Sequence, residues 1–141
     1  LVRELARAEP DRTVAVAIEP GLSARGDRRL VEALLRNLLH NAWKYTAAAA
    51  APALALRGEL RDGVRGIAVV DNGAGFAMAH AGKLFEPFQR LHRQDEFPGI
   101  GLGLATVLRI VRRHGGTITG TGQPGAGACF WFTLAPAPEA A

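Results

Sequence analysis

A single carboxylate followed by two glycines stands near the middle of the chain, in the stretch VVDNGAGF at residues 69–76. Asp71 ends an apolar, β-branched run, where its side chain can accept a hydrogen bond from an amino group such as that of adenine. Gly73 and Gly75 let the backbone turn sharply and let a flat ring approach closely. Taken alone, the same pattern also fits an ordinary Asx turn at the end of a strand.

A second set of polar side chains lies in the stretch NLLHNAWKYT, residues 37–46. Asn37, Asn41 and Lys44 are spaced i, i+4 and i+7, so they share one face of a helix. An amide oxygen is a hard ligand that suits Mg²⁺, and a lysine meets phosphate as a point charge. Surface amides with a solvated lysine are the alternative. The leucine stripe beside this face predicts half-buried amides that need partners, which favours a functional site.

The third stretch is GIGLGLATV, residues 99–107, where alternating glycines run into a helix. Unpaired amides at a helix N-terminus form an anion site, although a glycine-rich loop alone also fits a plain flexible connection. No Gly-Lys-Ser/Thr follows, and no strand directly precedes, so neither a Walker loop nor a dinucleotide fingerprint is indicated. The three stretches together predict a site for Mg·ATP. They also predict that the segment between Gly73 and Gly103 closes over the nucleotide.

The composition of the whole chain narrows its class. A length of 141 residues suits one domain, and 48% hydrophobic residues can fill a core. The net charge of +4 is scattered and aromatic residues make up only 6%, which argues against a nucleic-acid partner. The single cysteine excludes an internal disulfide and a cysteine-based metal cage. With no signal peptide or long apolar run, we expect a cytoplasmic domain. Because Leu1 stands in a helical pattern without Met, we expect it to be part of a longer protein.

The elements that must position these residues follow from periodicity and turn signals. In chain order we predict a helix ending at Pro10, a strand over 12–20, a helix from about 28 to 46 capped by Asp27, a strand after Pro52, a hairpin turn at 61–63, a strand over 64–72, a short helical piece within 80–88, a helix over 103–116 ending at Gly115, and two strands over 116–122 and 127–136. This order predicts an α/β fold, a two-layer sandwich with a mixed sheet.

The motifs resemble those of the ATP-binding catalytic domain of sensor histidine kinases, within the wider Bergerat group that includes gyrase B, a heat-shock chaperone and MutL. The resemblance rests on five boxes in the expected order: NLLHNAWKYT like the N box, DNGAGF like the G1 box, LFEPFQRLH like the F box, GIGLGLATV like the G2 box, and GAGACFWFTL like the last glycine box and final strand. It implies the Bergerat fold, with the domain over residues 1–135 and a disordered tail over 136–141.

The resemblance also implies roles for individual residues. Asp71 would hold the adenine amino group with Gly75 nearby, and Asn41 would coordinate Mg²⁺ with Asn37 beside it. The remaining implied contacts are phosphate or ribose contacts from Lys44, Tyr45 and Arg90, backbone contacts from Gly73, Gly99, Gly101, Gly103 and Leu104, and hydrophobic anchoring of the lid by Phe85 and Phe88. For both phenylalanines, packing in the core is the alternative.

The position of Asn37 separates branches of this group. By the resemblance, ATP-hydrolysing members carry a glutamate there as the general base for water, and an amide cannot take that proton. The kinases instead transfer the γ-phosphoryl group to a histidine on another domain, mainly through positioning and charge neutralisation. None of the four histidines, His40, His80, His92 and His114, stands in the acceptor motif, so we predict no catalytic residue in this chain.

The implied partners are a dimerisation domain that carries the acceptor histidine and the receiver domain of a response regulator. The parent protein would be a homodimer and the isolated domain a monomer. Two alternatives remain open at this point: a gyrase- or chaperone-like ATPase, and a nucleotide-gated interaction module without phosphotransfer. Steady ATP hydrolysis would favour the first. ATP binding without phosphorylation of an added acceptor domain would favour the second.

Three departures from the family pattern stand out. Cys129 is aligned with a threonine whose hydroxyl would hold a water under the adenine, which predicts weaker nucleotide binding than in Cys129→Thr. Ala77 replaces a polar residue, which predicts a loosely started helix after it. The run TAAAAAP, residues 46–52, replaces a more polar connection. None of these changes removes a metal or phosphate ligand.

Overall fold

The computed structural model describes residues 2–86 and 103–134. Its elements in chain order are α1 (Val2–Ala8), β1 (Ala15–Ile18), α2 (Arg28–Tyr45), β2 (Ala53–Arg61), β3 (Val64–Asp71), a 3-10 helix (Met78–Lys83), α3 (Gly103–Arg113), β4 (Ile118–Gln123) and β5 (Gly127–Phe132). The element types and their order agree with the sequence-based prediction. The predicted α2 helix, from about 28 to 46, is observed over Arg28–Tyr45.

The five strands form one mixed sheet in the order β1-β2-β3-β5-β4. Only β1 and β2 run parallel, and every other neighbouring pair is antiparallel. The core lies between one face of this sheet and helices α2 and α3, where Leu34, Leu38 and Val107 pack with Val69 and Phe132. The predicted two-layer α/β sandwich is therefore confirmed.

The start of α2 and the end of α3 carry the capping residues that the sequence indicates. Asp27 caps α2, because its side chain accepts a hydrogen bond of 3.1 Å from the Leu30 amide. At the end of α3, Gly115 has a φ of 74°. The amides of Gly115 and Gly116 donate to the carbonyls of Arg112 and Val111, at 3.0 Å each, which is the Schellman arrangement.

His114 joins the two helices at this end of the molecule. Its Nε2 accepts a 3.0 Å hydrogen bond from the amide of Asp27, and its Nδ1 lies 2.8 Å from the Ile110 carbonyl. This pair of contacts requires the neutral tautomer with the proton on Nδ1. His114 therefore has a structural role, because it links the start of α2 to the end of α3.

The β2–β3 hairpin turns at Asp62 and Gly63, which both have positive φ angles, of 51° and 77°. This is the pattern of a two-residue type I′ turn, as the RDG signal predicts. Ala77 precedes the 3-10 helix and makes no side-chain cap hydrogen bond, which agrees with the predicted loose start. Within the two described ranges, no helix has the length and apolar character needed to cross a membrane.

Candidate functional site

Asp71 is the last residue of β3, and its side chain points toward the helical layer. Its partner on β5 is Ala128, and two residues earlier Val69 pairs with Phe130. Because alternate residues of a strand face opposite sides, Asp71 shares its face with these core residues. Only 8% of Asp71 is exposed. A nearly buried carboxylate at the edge of the core is the central feature of the site.

The environment of Asp71 leaves its charge poorly compensated. Burial raises the pKa of this carboxyl to about 6, against the opposing effect of hydrogen bonds from the amides of Gly73 and Ala128. The Gly73 amide donates to Oδ1 at 2.8 Å. Within the part of the chain that the structure describes, no basic side chain contributes to this pKa. At neutral pH the carboxylate is mostly ionised and is a strong hydrogen-bond acceptor.

The glycines after Asp71 allow close backbone packing on both sides of the loop. A Cβ on Gly73 would collide with the carbonyl of Tyr45, and the next amide, of Ala74, donates to that carbonyl at 2.9 Å. Gly75 has a φ of 63°, and a Cβ there would collide with the carbonyl of Gln123. The glycines thus hold the loop between the end of α2 and the β4–β5 turn, and Gly75 also borders the cleft.

Asn72, between the acid and the first glycine, ties the loop to the start of β2. Its Oδ1 accepts from the Ala53 amide at 2.8 Å, and its Nδ2 donates to the Ala51 carbonyl at 2.7 Å. Its own amide donates to the Ala53 carbonyl at 3.2 Å. Asn72 therefore fixes the exit of the alanine run beside the site.

The polar face of α2 meets the first residue of α3. Asn37 is half-buried and donates from Nδ2 to the Ala33 carbonyl at 2.8 Å. A Cβ on Gly103 would lie 3.1 Å from Asn37 Oδ1 and 4.0 Å from Asn41 Nδ2. The amides of the first turn of α3, where a helix favours anions, therefore begin beside both asparagines.

These elements line a cleft that opens to solvent. It brings together five of the predicted residues, namely Asn41, Tyr45, Asp71, Gly75 and Leu104. Lys44 stands at its border, with Nζ 4.9 Å from the centre of the Tyr45 ring. Gly73, Asn37 and Gly103 support the cleft through the contacts above. Arg90, Gly99, Gly101 and Phe88 lie outside the described residues.

The apolar part of the cleft was missed by the sequence reasoning. It is formed by Leu38, Ala42, Val69, Phe76, Ala128 and Phe130. Phe130 contacts Phe76 and Phe85 with ring centres 6.3 and 6.2 Å apart, so Phe85 packs onto the core. Alternate positions of the last strand are the signal that could have identified Ala128 and Phe130.

The structure contradicts the expected placement of the Cys129 side chain beside the adenine site, while the predicted effect on affinity stays a prediction. Cys129 lies between Ala128 and Phe130 on β5 and therefore points to the opposite face of the sheet. There its sulfur accepts a 3.6 Å hydrogen bond from Arg61, and burial raises the pKa of the thiol. Ala128, which has no hydroxyl group, occupies the position opposite Asp71.

The donors around the cleft are compatible with Mg²⁺ only if the nucleotide supplies most of the ligands. Among the described residues there is no group of three or more His, Cys, Asp or Glu side chains that could hold a metal ion. Asn41 lines the polar wall of the cleft, and its amide oxygen is the atom that could bind a metal ion. Mg²⁺ commonly takes one or two protein oxygens together with phosphate and water, and this wall fits that habit.

Comparison with known sequences gives one family. A family model described as histidine kinase-, DNA gyrase B-, and HSP90-like ATPase matches residues 26–138. The chain is 37% identical over 130 residues to the sensor protein KdpD of Escherichia coli (strain K12), covering 83% of this chain and 14% of KdpD. It is 39% identical over 109 residues to the alginate biosynthesis sensor protein KinB of Pseudomonas aeruginosa, covering 77% and 18%. The chain thus spans less than a fifth of either relative.

Solved structures give the same result. The mycobacterial sensor histidine kinase MprB superimposes with a TM-score of 0.74 at 26% identity, covering 94% of this chain and 89% of that one. Full-length ShkA in complex with AMPPNP superimposes with a TM-score of 0.72 at 30% identity, covering 93% of this chain and 27% of that one.

Proposed function

Because the chain belongs to the histidine kinase-, DNA gyrase B-, and HSP90-like ATPases, as an ATP-binding catalytic domain of the sensor histidine kinase type, we propose that it binds Mg·ATP in the cleft beside Asp71. We further propose that it donates the γ-phosphoryl group to a histidine on a separate dimerisation domain. A receiver domain of a response regulator would then take the phosphoryl group. The chain covers 14% of KdpD, so this sequence of transfers belongs to the proposal.

The buried carboxylate of Asp71 is the observation that carries the proposal. It is mostly ionised at neutral pH and has no basic partner among the described residues, so it favours a ligand that presents a hydrogen-bond donor. The adenine amino group is such a donor, and the apolar residues Val69, Phe76 and Phe130 offer a surface for the flat ring. A ligand amino group would satisfy a charge that the protein leaves undercompensated.

The phosphate end of the nucleotide belongs at the α2–α3 junction in this proposal. Asn41, with Asn37 beside it, would hold Mg²⁺, and Lys44 would offset phosphate charge. The first amides of α3 at Gly103 and Leu104 favour an anion. Arg90, Gly99 and Gly101 remain proposed ligands from the sequence. When bound, Mg²⁺ neutralises charge on the transferring phosphoryl group.

The proposed transfer breaks the bond between the γ-phosphorus and the bridging oxygen of ATP and forms a bond to an imidazole nitrogen of the acceptor. The imidazole attacks through its unprotonated nitrogen, ADP leaves, and the phosphorylated ring then releases the proton of its other nitrogen to water. The chain contributes position and charge neutralisation to this step. Asn37 supports transfer over hydrolysis, because an amide cannot act as the general base for an attacking water.

Calorimetric titration tests the proposal. ADP and AMPPNP would be titrated into the chain with and without Mg²⁺, and Asp71→Asn and Asn41→Ala would be titrated in parallel. We expect binding that Asp71→Asn weakens about a hundredfold, and a Mg²⁺ dependence that Asn41→Ala removes. Absence of nucleotide binding by the unmodified chain would overturn the proposed function.

A titration that shows binding would be followed by a transfer assay with an added acceptor-histidine domain. We expect label from γ-labelled ATP to appear on that domain and little steady release of phosphate by the chain alone. ATP binding with no transfer to the added domain would indicate a nucleotide-gated interaction module. The assay therefore separates the proposed kinase function from both alternatives.

A further inference from the structure

The segment that leads into β1 is fastened to the last turn of α2 by one side chain. Arg12 donates from Nη1 to the Trp43 carbonyl at 2.9 Å and from Nη2 to Thr46 Oγ1 at 3.0 Å. Its guanidinium carbon lies 5.1 Å from the centre of the Trp43 ring. The same guanidinium approaches Glu9 at 3.4 Å. Arg12 therefore makes a forked contact with the end of a helix 31 residues away.

This contact is sheltered and lies where a helix needs donors. The side chain of Arg12 is 18% exposed and Thr46 is fully buried. The hydroxyl of Thr46 donates to the same Trp43 carbonyl at 2.8 Å. The last carbonyls of a helix lack partners within it and carry its partial negative charge, so a buried guanidinium there is a favourable end cap.

The other side of the same helical turn forms a wall of the cleft. Tyr45 and Asn41 line the cleft, and the Tyr45 carbonyl accepts the Ala74 amide that follows Gly73. The residues that Arg12 holds, Trp43 and Thr46, alternate with these along the turn. A shift of the turn therefore moves the anchor of Arg12 and the wall of the nucleotide cleft together.

The buried indole of Trp43 is a weak point in the last turn of α2. Trp43 is 3% exposed, yet its indole N–H has no hydrogen-bond partner among the residues that the structure describes. A buried donor without a partner is costly and favours neighbouring arrangements in which it is satisfied. The forked contact from Arg12 opposes such rearrangement.

We propose that Arg12 is a positioning residue that couples residues 2–12 to the nucleotide cleft through the last turn of α2. Its two hydrogen bonds and its contact with the Trp43 ring fix the turn from outside, and the cleft takes its geometry from that turn. Movement of the segment before β1 would then change nucleotide affinity without any contact between this segment and the nucleotide. This inference rests on the proposed function.

The structure offers two matched controls. Arg61 lies 5.1 Å from the ring centre of Trp131 on the outward face of the sheet, so Arg61→Ala removes a similar guanidinium–indole contact away from the cleft. Arg36 pairs with Glu4 of α1 at 3.0 Å, with both side chains more than half exposed. Arg36→Ala therefore breaks a second tie between the same segment and α2 without touching the last turn.

The test is the affinity for ADP, measured by calorimetry well below the unfolding temperature of each variant. We expect Arg12→Ala to weaken binding about threefold to tenfold, and Arg12→Lys, which keeps the charge but not the fork, to recover part of the loss. Arg61→Ala and Arg36→Ala should keep the affinity of the unmodified chain. A purely structural role would lower the unfolding temperature and leave ADP affinity unchanged.

Tryptophan emission gives a second readout. The chain contains two tryptophans, so Trp131→Phe leaves Trp43 as the single reporter. We expect ADP to change Trp43 emission in this background, and Arg12→Ala to abolish or strongly reduce the change. The proposal fails if folded Arg12→Ala binds ADP with unchanged affinity. If Arg12→Ala does not fold, Arg12→Lys decides: an unchanged affinity and emission response overturn the proposal, and a weaker affinity supports it.

If the unmodified chain does not bind ADP, the proposed function fails and this inference fails with it. If it binds ADP and Arg12→Ala has no effect on affinity, only the inference fails. The two failures are therefore distinguishable in the first pair of titrations.

Discussion

Acidic side chains on the two faces of the sheet have opposite electrostatic environments. On the helical side, Asp71 is nearly buried and has no basic partner in residues 2–86 or 103–134, and burial raises its pKa to about 6. On the outward side, the carboxylate of Glu59 lies 2.6 Å from Arg61 and 3.4 Å from Arg57, and hydrogen bonding to Arg61 is the largest effect that lowers its pKa. On the outward face, arginine side chains of the same protein compensate the Glu59 carboxylate. On the helical face, the Asp71 carboxylate has no such compensation from the described residues, and in the proposed function a ligand supplies the hydrogen-bond donor.

The largest expected effect comes from removing the charge on each face. In Asp71→Asn, either amide orientation places an N–H against another donor, the Gly73 amide or the adenine amino group. We expect ADP affinity to fall about a hundredfold, while the nucleotide-free protein gains about 1–3 kcal/mol of unfolding free energy because a buried charge is removed. Calorimetry and chemical denaturation measure the two quantities.

Glu59→Gln is the matched control for that substitution. Its carboxylate is partly exposed, so we expect a loss of less than about 1 kcal/mol in unfolding free energy and no change in ADP affinity. Equal losses of affinity in the two variants would contradict the division between the faces.

Two glycines, Gly75 beside the cleft and Gly66 on the outward face, test through packing whether only the helical side affects ADP binding. Gly75→Ala would force a φ of 63° on a side-chain residue and a collision with the Gln123 carbonyl, so we expect a loss of about 3 kcal/mol or more in unfolding free energy together with weaker ADP binding. Gly66→Ala would press on the ring of Trp131 and the Phe132 carbonyl, and we expect a loss of about 1–3 kcal/mol with unchanged ADP affinity. Denaturation and calorimetry at low temperature separate the two outcomes.

The pH dependence of ADP affinity also distinguishes Asp71 from Glu59. If ADP requires ionised Asp71, its affinity should fall about tenfold from pH 7 to pH 5 as the carboxyl takes up a proton with a pKa near 6. Carbon-detected NMR of the side-chain carboxyls checks the cause. We expect the midpoint for Asp71 near 6 and that for Glu59 below its ordinary value of 4.5. Coinciding midpoints would contradict the assignment of an uncompensated charge to the cleft.

The same titration affects stability with a definite sign. A carboxyl whose pKa is higher in the folded than in the unfolded chain binds its proton more tightly when folded. Asp71 therefore lowers the stability of the nucleotide-free protein as pH rises from 3.8 to about 6. Asp71→Asn should remove this slope from a series of denaturation curves.

The smallest expected effect compares two neighbouring residues of β5. Ala128→Thr places a hydroxyl beside Asp71, where a hydrogen bond to the carboxylate should lower its pKa below 6. Cys129→Thr changes a side chain on the outward face, and we expect its ADP affinity to stay within about twofold of the unmodified chain. A larger change in Cys129→Thr than in Ala128→Thr would restore the original expectation for Cys129.

Local signals carried most of the fold prediction. The cap at Asp27, the turn at Asp62 and Gly63, and the stop at Gly115 each follow from the conformational preference of one or two residues. The sequence-based prediction of the family is confirmed by the match over residues 26–138 and by the sensor-protein relatives. Local signals sufficed here because caps and turns depend on neighbours within a few residues.

Non-local pairing could not be read in the same way. Whether Ala128 or Cys129 faces Asp71 depends on the register between β3 and β5, and a shift of one residue reverses every side chain. The contact between Arg12 and the end of α2 joins residues that the helical pattern does not relate. The assigned ligand roles of Asn37, Asn41, Lys44 and Arg90 remain predictions that await the titrations.

The bracing of the alanine run has a consequence for protein engineering. Arg12 fixes the chain at Thr46, directly after the end of α2, and Asn72 fixes it again at Ala51 and Ala53, so the intervening alanines are held at both ends independently of their own side chains. Ala47 and Ala48 are exposed. A fluorophore attached at either position would therefore sit on an exposed surface near the proposed nucleotide cleft.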